Sequence, residues 1–74
     1  MDRQLSWERR QATRLGLDLL GGDVLFSCDN EIVVREMLGG IAEWHRQNPK
    51  RIEPMNYDEV VAVRDQAVKE VSLV

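Results

Sequence analysis

The run Val33–Gln47 constrains the fold of this chain more than any other segment, because Val33, Val34, Met37, Leu38, Ile41 and Trp44 recur at helical spacing. With successive side chains turned by about 100°, these residues and His45 fill one side of a helical wheel. Arg35, Glu36, Glu43, Arg46 and Gln47 fill the other. The segment therefore reads as an amphipathic helix that needs an apolar surface to cover it. Asp29 or Asn30 can cap its start, with Glu31 well placed against the helix dipole, and Asn48-Pro49 ends it. Gly39-Gly40 is a contradiction inside the helix, since each glycine costs about 1 kcal/mol relative to alanine there. Gly40 borders the apolar face and can admit a close neighbour. Gly39 lies on the polar face, where the readings are a kink or short break, or the approach of a ligand or partner backbone.

The flanking segments read less clearly. Ser6 can cap a first helix running to about Leu20, with Glu8 in its first turn and Gly21-Gly22 as its stop. Gly16 weakens its interior, and its apolar residues diverge: Ala12, Leu15 and Leu19 share a face that Leu17 and Leu20 leave. Val24–Cys28 is too short for a helix between Gly21-Gly22-Asp23 and Asp29-Asn30, so it is expected to be extended. Alternatively, Asp29-Asn30 is a hairpin turn that pairs Val24–Cys28 with Glu31–Val34. After a connection stiffened by Pro49 and Pro54, Asn56 and Glu59 form a capping-box pair, and Met55 can staple against Val60. From Tyr57 to about Ser72, the residues Val60, Val63, Ala67, Val68 and Val71 make the stripe of a last helix. The expectation is a single, mainly all-α domain over residues 1–74, with three short helices and one extended segment at 24–28. The alternative is an α+β arrangement with a small hairpin at 24–34.

A chain of 74 residues supports only a thin core. Small domains compensate with disulfides, a metal or a partner chain. The lone Cys28 excludes an intrachain disulfide, and Cys28 with His45 cannot make a zinc cluster. Association, most simply a homodimer, is the remaining remedy. No apolar N-terminal stretch resembles a signal peptide, and no apolar run is long enough to span a bilayer, so the expected location is cytoplasmic with no membrane partner.

The 13 acidic residues outnumber the 10 basic ones, giving a net charge of -3 that disfavours generic binding to polyanions. Two basic patches remain, one at residues 9–14 with Arg9, Arg10 and Arg14, the other at 46–51 with Arg46, Lys50 and Arg51. An extended Val24–Cys28 offers one hydroxyl and no Arg, Lys, Asn or Gln, so it lacks the donors that read base edges.

Among single residues, Trp7 falls on a charged helix face with Arg10 and Arg14 and reads either as an interface anchor or as a cover over Leu15 or the last helix. Trp44, Met37 and Ile41 lie on the central apolar face, as core or interface. Arg64 falls within the apolar stripe of the last helix, where it reaches out to solvent, pairs with a carboxylate on a neighbouring helix, or meets an acidic partner. His45 reads as a packed histidine and Cys28 as an inert buried thiol. No phosphate loop, activated nucleophile or catalytic constellation occurs, and no cofactor or small-molecule substrate is implied. The sequence thus supports the expectation of a non-enzymatic protein-interaction module, a small regulator, inhibitor or adaptor that presents apolar helix faces. Its partner-binding candidates are Trp7, Arg10, Arg14, Met37, Ile41, Trp44 and Arg64. The alternative is a small nucleic-acid-binding transcriptional regulator that uses the basic patches.

Overall fold

The computed structural model describes residues 3–72, with side chains from Ser6 onward. Four helices follow one another: α1 (Arg3–Arg14), α2 (Leu19–Phe26), α3 (Glu31–Gln47) and α4 (Tyr57–Ser72). The described residues contain no strand or sheet. The all-α expectation holds, and the hairpin at 24–34 does not form.

The central and last helices form where the periodicity places them. Asn30 caps α3, its side-chain oxygen accepting from the N–H groups of Ile32 and Val33, while the Asn48 N–H bonds to the His45 carbonyl at the other end. Asn56 and Glu59 cap α4 reciprocally: Glu59 N–H donates to Asn56 Oδ1 and Asn56 N–H to Glu59 Oε1, both at 3.0 Å. Residues 39 and 40 do not break α3. A side chain on Gly40 would press within 2.8 Å of Val63 on α4, so Gly40 lets the two helices approach closely. A methyl group on Gly39 would meet nothing within 4 Å.

The first half of the chain departs from its sequence reading in three linked ways. Helix α1 is already formed at Ser6 and stops at Arg14, well short of Leu20. The break comes at Gly16, whose φ of +75° suits glycine. There the Gly16 N–H bonds to the Thr13 carbonyl and the Leu17 N–H to the Ala12 carbonyl, a Schellman termination with buried Leu17 and Ala12 as its apolar pair. Asp18 then restarts the chain as a helix, its carboxylate accepting from the Gly21 N–H at 2.6 Å. Gly21-Gly22 therefore lies inside α2 and stops nothing. The same helix absorbs Val24, Leu25 and Phe26, which removes the expected extended segment at 24–28. Both glycines are placed for contact. A Cβ at Gly21 would come within 2.8 Å of the Met55 carbonyl, and one at Gly22 within 2.8 Å of the Ala12 methyl.

Distant parts of the chain meet at Met55. Its N–H donates to the Gly16 carbonyl at 2.8 Å and its carbonyl accepts from the Asp18 N–H at 2.9 Å, a one-residue parallel bridge between the α1–α2 junction and the start of α4. Its side chain is fully buried with Met37, Ile41 and Val60. Helix α4 packs on both α2 and α3, and α1 packs on α2. The result is a slab of 39 × 32 × 16 Å, little more than one helix layer thick. Such a slab covers few side chains from every direction, and apolar residues remain exposed on all four helices.

The two unusual glycines of α1–α2 and α3 should respond in opposite directions to alanine. Gly16→Ala forces a positive φ on a side chain that would also lie 2.5 Å from the His45 ring. It should lower stability by at least about 1–2 kcal/mol. Gly39→Ala enters open space within a helix and should raise stability by up to about 1 kcal/mol. Urea unfolding at low micromolar concentration, where the chain is dilute, reads both.

Candidate functional site

The side chains left incompletely covered collect on two opposite kinds of surface, one apolar and one charged. On the first, α1 contributes Trp7 and Gln11, the residue just past its end contributes Leu15, α2 contributes Phe26 and the buried Leu25 beneath it, and α3 contributes Val34 and Leu38. Cys28, in the turn between α2 and α3, completes an open groove of about 430 Å³. The helical phases explain the convergence. Trp7, Gln11 and Leu15 are four residues apart along α1 and just past its end, as Val34 and Leu38 are on α3, so each set forms one ridge. Trp7 tilts against Phe26 with ring centroids 5.9 Å apart, yet it stays 53% exposed, and Leu38 is 38% exposed.

Two interactions hold the walls. His45 reaches from α3 to the end of α1, with Nε2 3.0 Å from the Leu15 carbonyl. Because a carbonyl only accepts, Nε2 carries the hydrogen, and the ring satisfies an oxygen that the terminated helix leaves free. His45 is thus a packed, positioning histidine. At the same, C-terminal end of α3, Arg51 binds Glu59 through two parallel hydrogen bonds of 2.8 and 2.9 Å and lies over the Trp44 ring, 5.0 Å from its centroid. Its Nε sits 3.1 Å from Glu53 Oε1 without hydrogen-bond alignment. This clasp joins the end of α3 to the start of α4 and fixes Trp44, which also meets His45 edge to face.

The sequence-derived candidates separate accordingly. Trp7, Arg10 and Arg14 stand together on the exposed side of α1, and Trp44 is half-buried at the α3–α4 end. Met37 and Ile41 are 0% and 2% exposed, so the folded monomer itself covers them and leaves neither side chain for a partner. Arg64 is half-buried and pairs with its neighbour Asp65 on the same helix at 3.3 Å, so no other helix supplies its carboxylate. Cys28 is half-buried in the groove and its Sγ lies 3.8 Å from the Asn30 carbonyl. Sequence reasoning missed Leu15, Phe26 and Leu38 as groove residues. The four-residue spacing of Trp7, Gln11 and Leu15 was visible, but Phe26 joins them only because α2 turns back.

The second basic patch is largely neutralised. Arg46 pairs with Glu43, and Arg51 is engaged by Glu59 and Glu53, which leaves Lys50. No group of three or more potential metal ligands occurs among the described residues, and no helix among them is long and apolar enough to cross a membrane. No family model, curated protein or solved structure matches this chain.

The Arg51–Glu59 clasp gives a pH dependence with a definite sign. The hydrogen bonds from Arg51, aided by that from the Asn56 N–H, hold the Glu59 carboxyl below its ordinary value of 4.5 despite partial burial. A carboxylate whose folded value is depressed contributes stability above the unfolded value, and that contribution is lost as pH falls through the folded one. Glu59→Gln keeps an acceptor for the Asn56 N–H but removes the charge. The variant should melt below the wild type at pH 7, and the two melting temperatures should converge on acidification below about pH 4.5. A gap that persists at pH 2 would assign the effect to packing.

Proposed function

We propose that this chain is a non-enzymatic protein-interaction module, a small regulator or adaptor whose α1–α2–α3 groove receives an apolar ridge from a partner protein's helix. One observation carries the reading: three helices bring Trp7, Leu15, Phe26, Val34 and Leu38 to one open groove, with Trp7 more than half exposed. Isolated exposed apolar residues need no explanation, but a contiguous set centred on an aromatic ring is the ordinary make-up of an interface anchor. A groove between helices takes a helix readily, since ridges at i and i+4 spacing fit between like ridges.

The alternative, nucleic-acid binding, draws less support from the arrangement. Arg9, Arg10 and Arg14 are exposed and outside any ion pair among the described residues, whereas the cations at 46–51 are mostly matched by carboxylates. Three such contacts supply only modest counterion release.

Leu38→Glu places a charge in the groove at a position exposed enough to leave the fold intact. Val68→Glu places the same charge on an exposed part of α4 outside it. With both variants shown folded by circular dichroism, each is used with the wild type to capture proteins from the native host. The expected result is a partner retained by the wild type and Val68→Glu and weakened roughly tenfold or more by Leu38→Glu. Equal retention by all three overturns the groove as the binding surface.

A further inference from the structure

Each row of side chains on helix α1 meets a different environment. The ridge of Trp7 and Gln11, continued by Leu15, forms a wall of the apolar groove. The row on one side of it turns inward, since Ala12 is buried and Glu8 half-buried. Arg9 and Thr13 lie on the far side of the helix and line a separate depression with Gly16, Leu17 and Asp18. Arg10 and Arg14 make the remaining row. Each stands three residues on from a member of the ridge, Arg10 from Trp7 and Arg14 from Gln11, so the pair runs beside the ridge along its solvent-facing edge.

Both arginines are exposed and belong to no ion pair among the described residues, so this edge of the groove carries two uncommitted positive charges. None of the side chains that line the groove itself is charged. On α3, Arg35 belongs instead to a shallow trough between α3 and α4, floored by Gly39, Gly40 and Ala67. Asp29 and Glu31 are negative, but they sit in the α2–α3 turn and at the first position of α3, off the α1 edge. The groove is therefore apolar within and positive along α1.

We infer that the helix received by the groove is acidic along one flank: its apolar ridge enters between the walls, and carboxylates four residues apart beside that ridge face Arg10 and Arg14. The inference rests on the groove as a helix-binding surface and adds the chemistry of the incoming helix. Arginine suits the role, because its planar guanidinium stays charged and takes a carboxylate through two parallel hydrogen bonds. The spacing suits it as well, since a helix laid alongside α1 repeats its own side chains at the interval that separates Arg10 from Arg14. A nucleic acid offers phosphates to the arginines but no apolar ridge to fill the groove. Charges at the wet edge of an apolar contact mainly select the partner and speed its approach, while the covered side chains supply the affinity.

Three synthetic helical peptides test this, identical in a leucine ridge of four-residue spacing and differing only in the adjacent row, which carries Glu, Gln or Lys. Fluorescence anisotropy of the labelled peptides should rank them Glu, Gln, Lys from tightest to weakest. About tenfold should separate the first from the last at low salt, and less at about 0.5 M, where exposed charges are screened. Arg10→Glu with Arg14→Glu should reverse the order, and Arg10→Gln with Arg14→Gln, which adds no negative charge to α1, should abolish it. Lys50→Glu with Lys69→Glu makes the same change of net charge as the first pair at exposed positions outside the groove and should leave the order as in the wild type. Leu38→Glu should weaken all three peptides. Equal affinity of the wild type for the three, lost in Leu38→Glu, overturns the acidic flank and leaves the groove as the binding surface. Binding of none of them, or binding indifferent to Leu38→Glu, overturns the groove and the inference with it. A single-stranded oligonucleotide held more tightly than the Glu peptide, and released by the Arg10 and Arg14 substitutions, also overturns the inference and assigns the arginines to phosphate.

Discussion

The two backbone hydrogen bonds at Met55 hold the first half of the chain to the second. Gly16, which terminates α1, and Asp18, which caps α2, are the very residues whose main-chain groups Met55 engages. An N–H and a carbonyl withdrawn from water are costly when unpaired, so this bridge fixes the junction as firmly as a short ladder would. The fully buried Met55 side chain adds roughly 1.5–3 kcal/mol of apolar burial at the same point. Gly21 is required by the same constraint, because any side chain there would strike the Met55 carbonyl.

From that anchor the surface chemistry follows. Once α2 is turned back against α4, Phe26 comes under Trp7, and the imidazole of His45 closes on the free carbonyl at the end of α1. The groove is therefore a product of the junction, with rigid helices for its walls. The trough between α3 and α4 has a different origin. Gly40 draws the helices together at Val63, the Arg51 clasp pins their Trp44 end, and the small floor residues leave a depression that the monomer does not fill.

A slab 16 Å thick has too little depth to enclose an apolar side chain on all sides except along its middle. The core is consequently a narrow file, of which Met37, Ile41, Met55 and Val60 are the largest fully covered members. Both faces keep apolar or oppositely charged features uncovered. The geometry that limits the monomer's core is the same geometry that leaves these surfaces open.

The sequence alone determined the elements whose information is local. Helices α3 and α4 were legible because their apolar period, Asn30, the Asn56–Glu59 box and Asn48-Pro49 all act within a few residues, and tertiary contacts only reinforced them. The exposed cluster of Trp7, Arg10 and Arg14 was legible for the same reason. Tertiary structure decided the rest. Gly21-Gly22 reads as a stop by propensity, but here the glycines serve close approach to Met55 and Ala12, and that packing outweighs a penalty of about 1 kcal/mol each. Met37 and Ile41 share their apolar stripe with Leu38, and periodicity could not say which side of it would be covered. Only the placement of α2 and α4 against α3 sent the first two inward and left Leu38 at the groove, because burial depends on which surfaces the whole chain brings together.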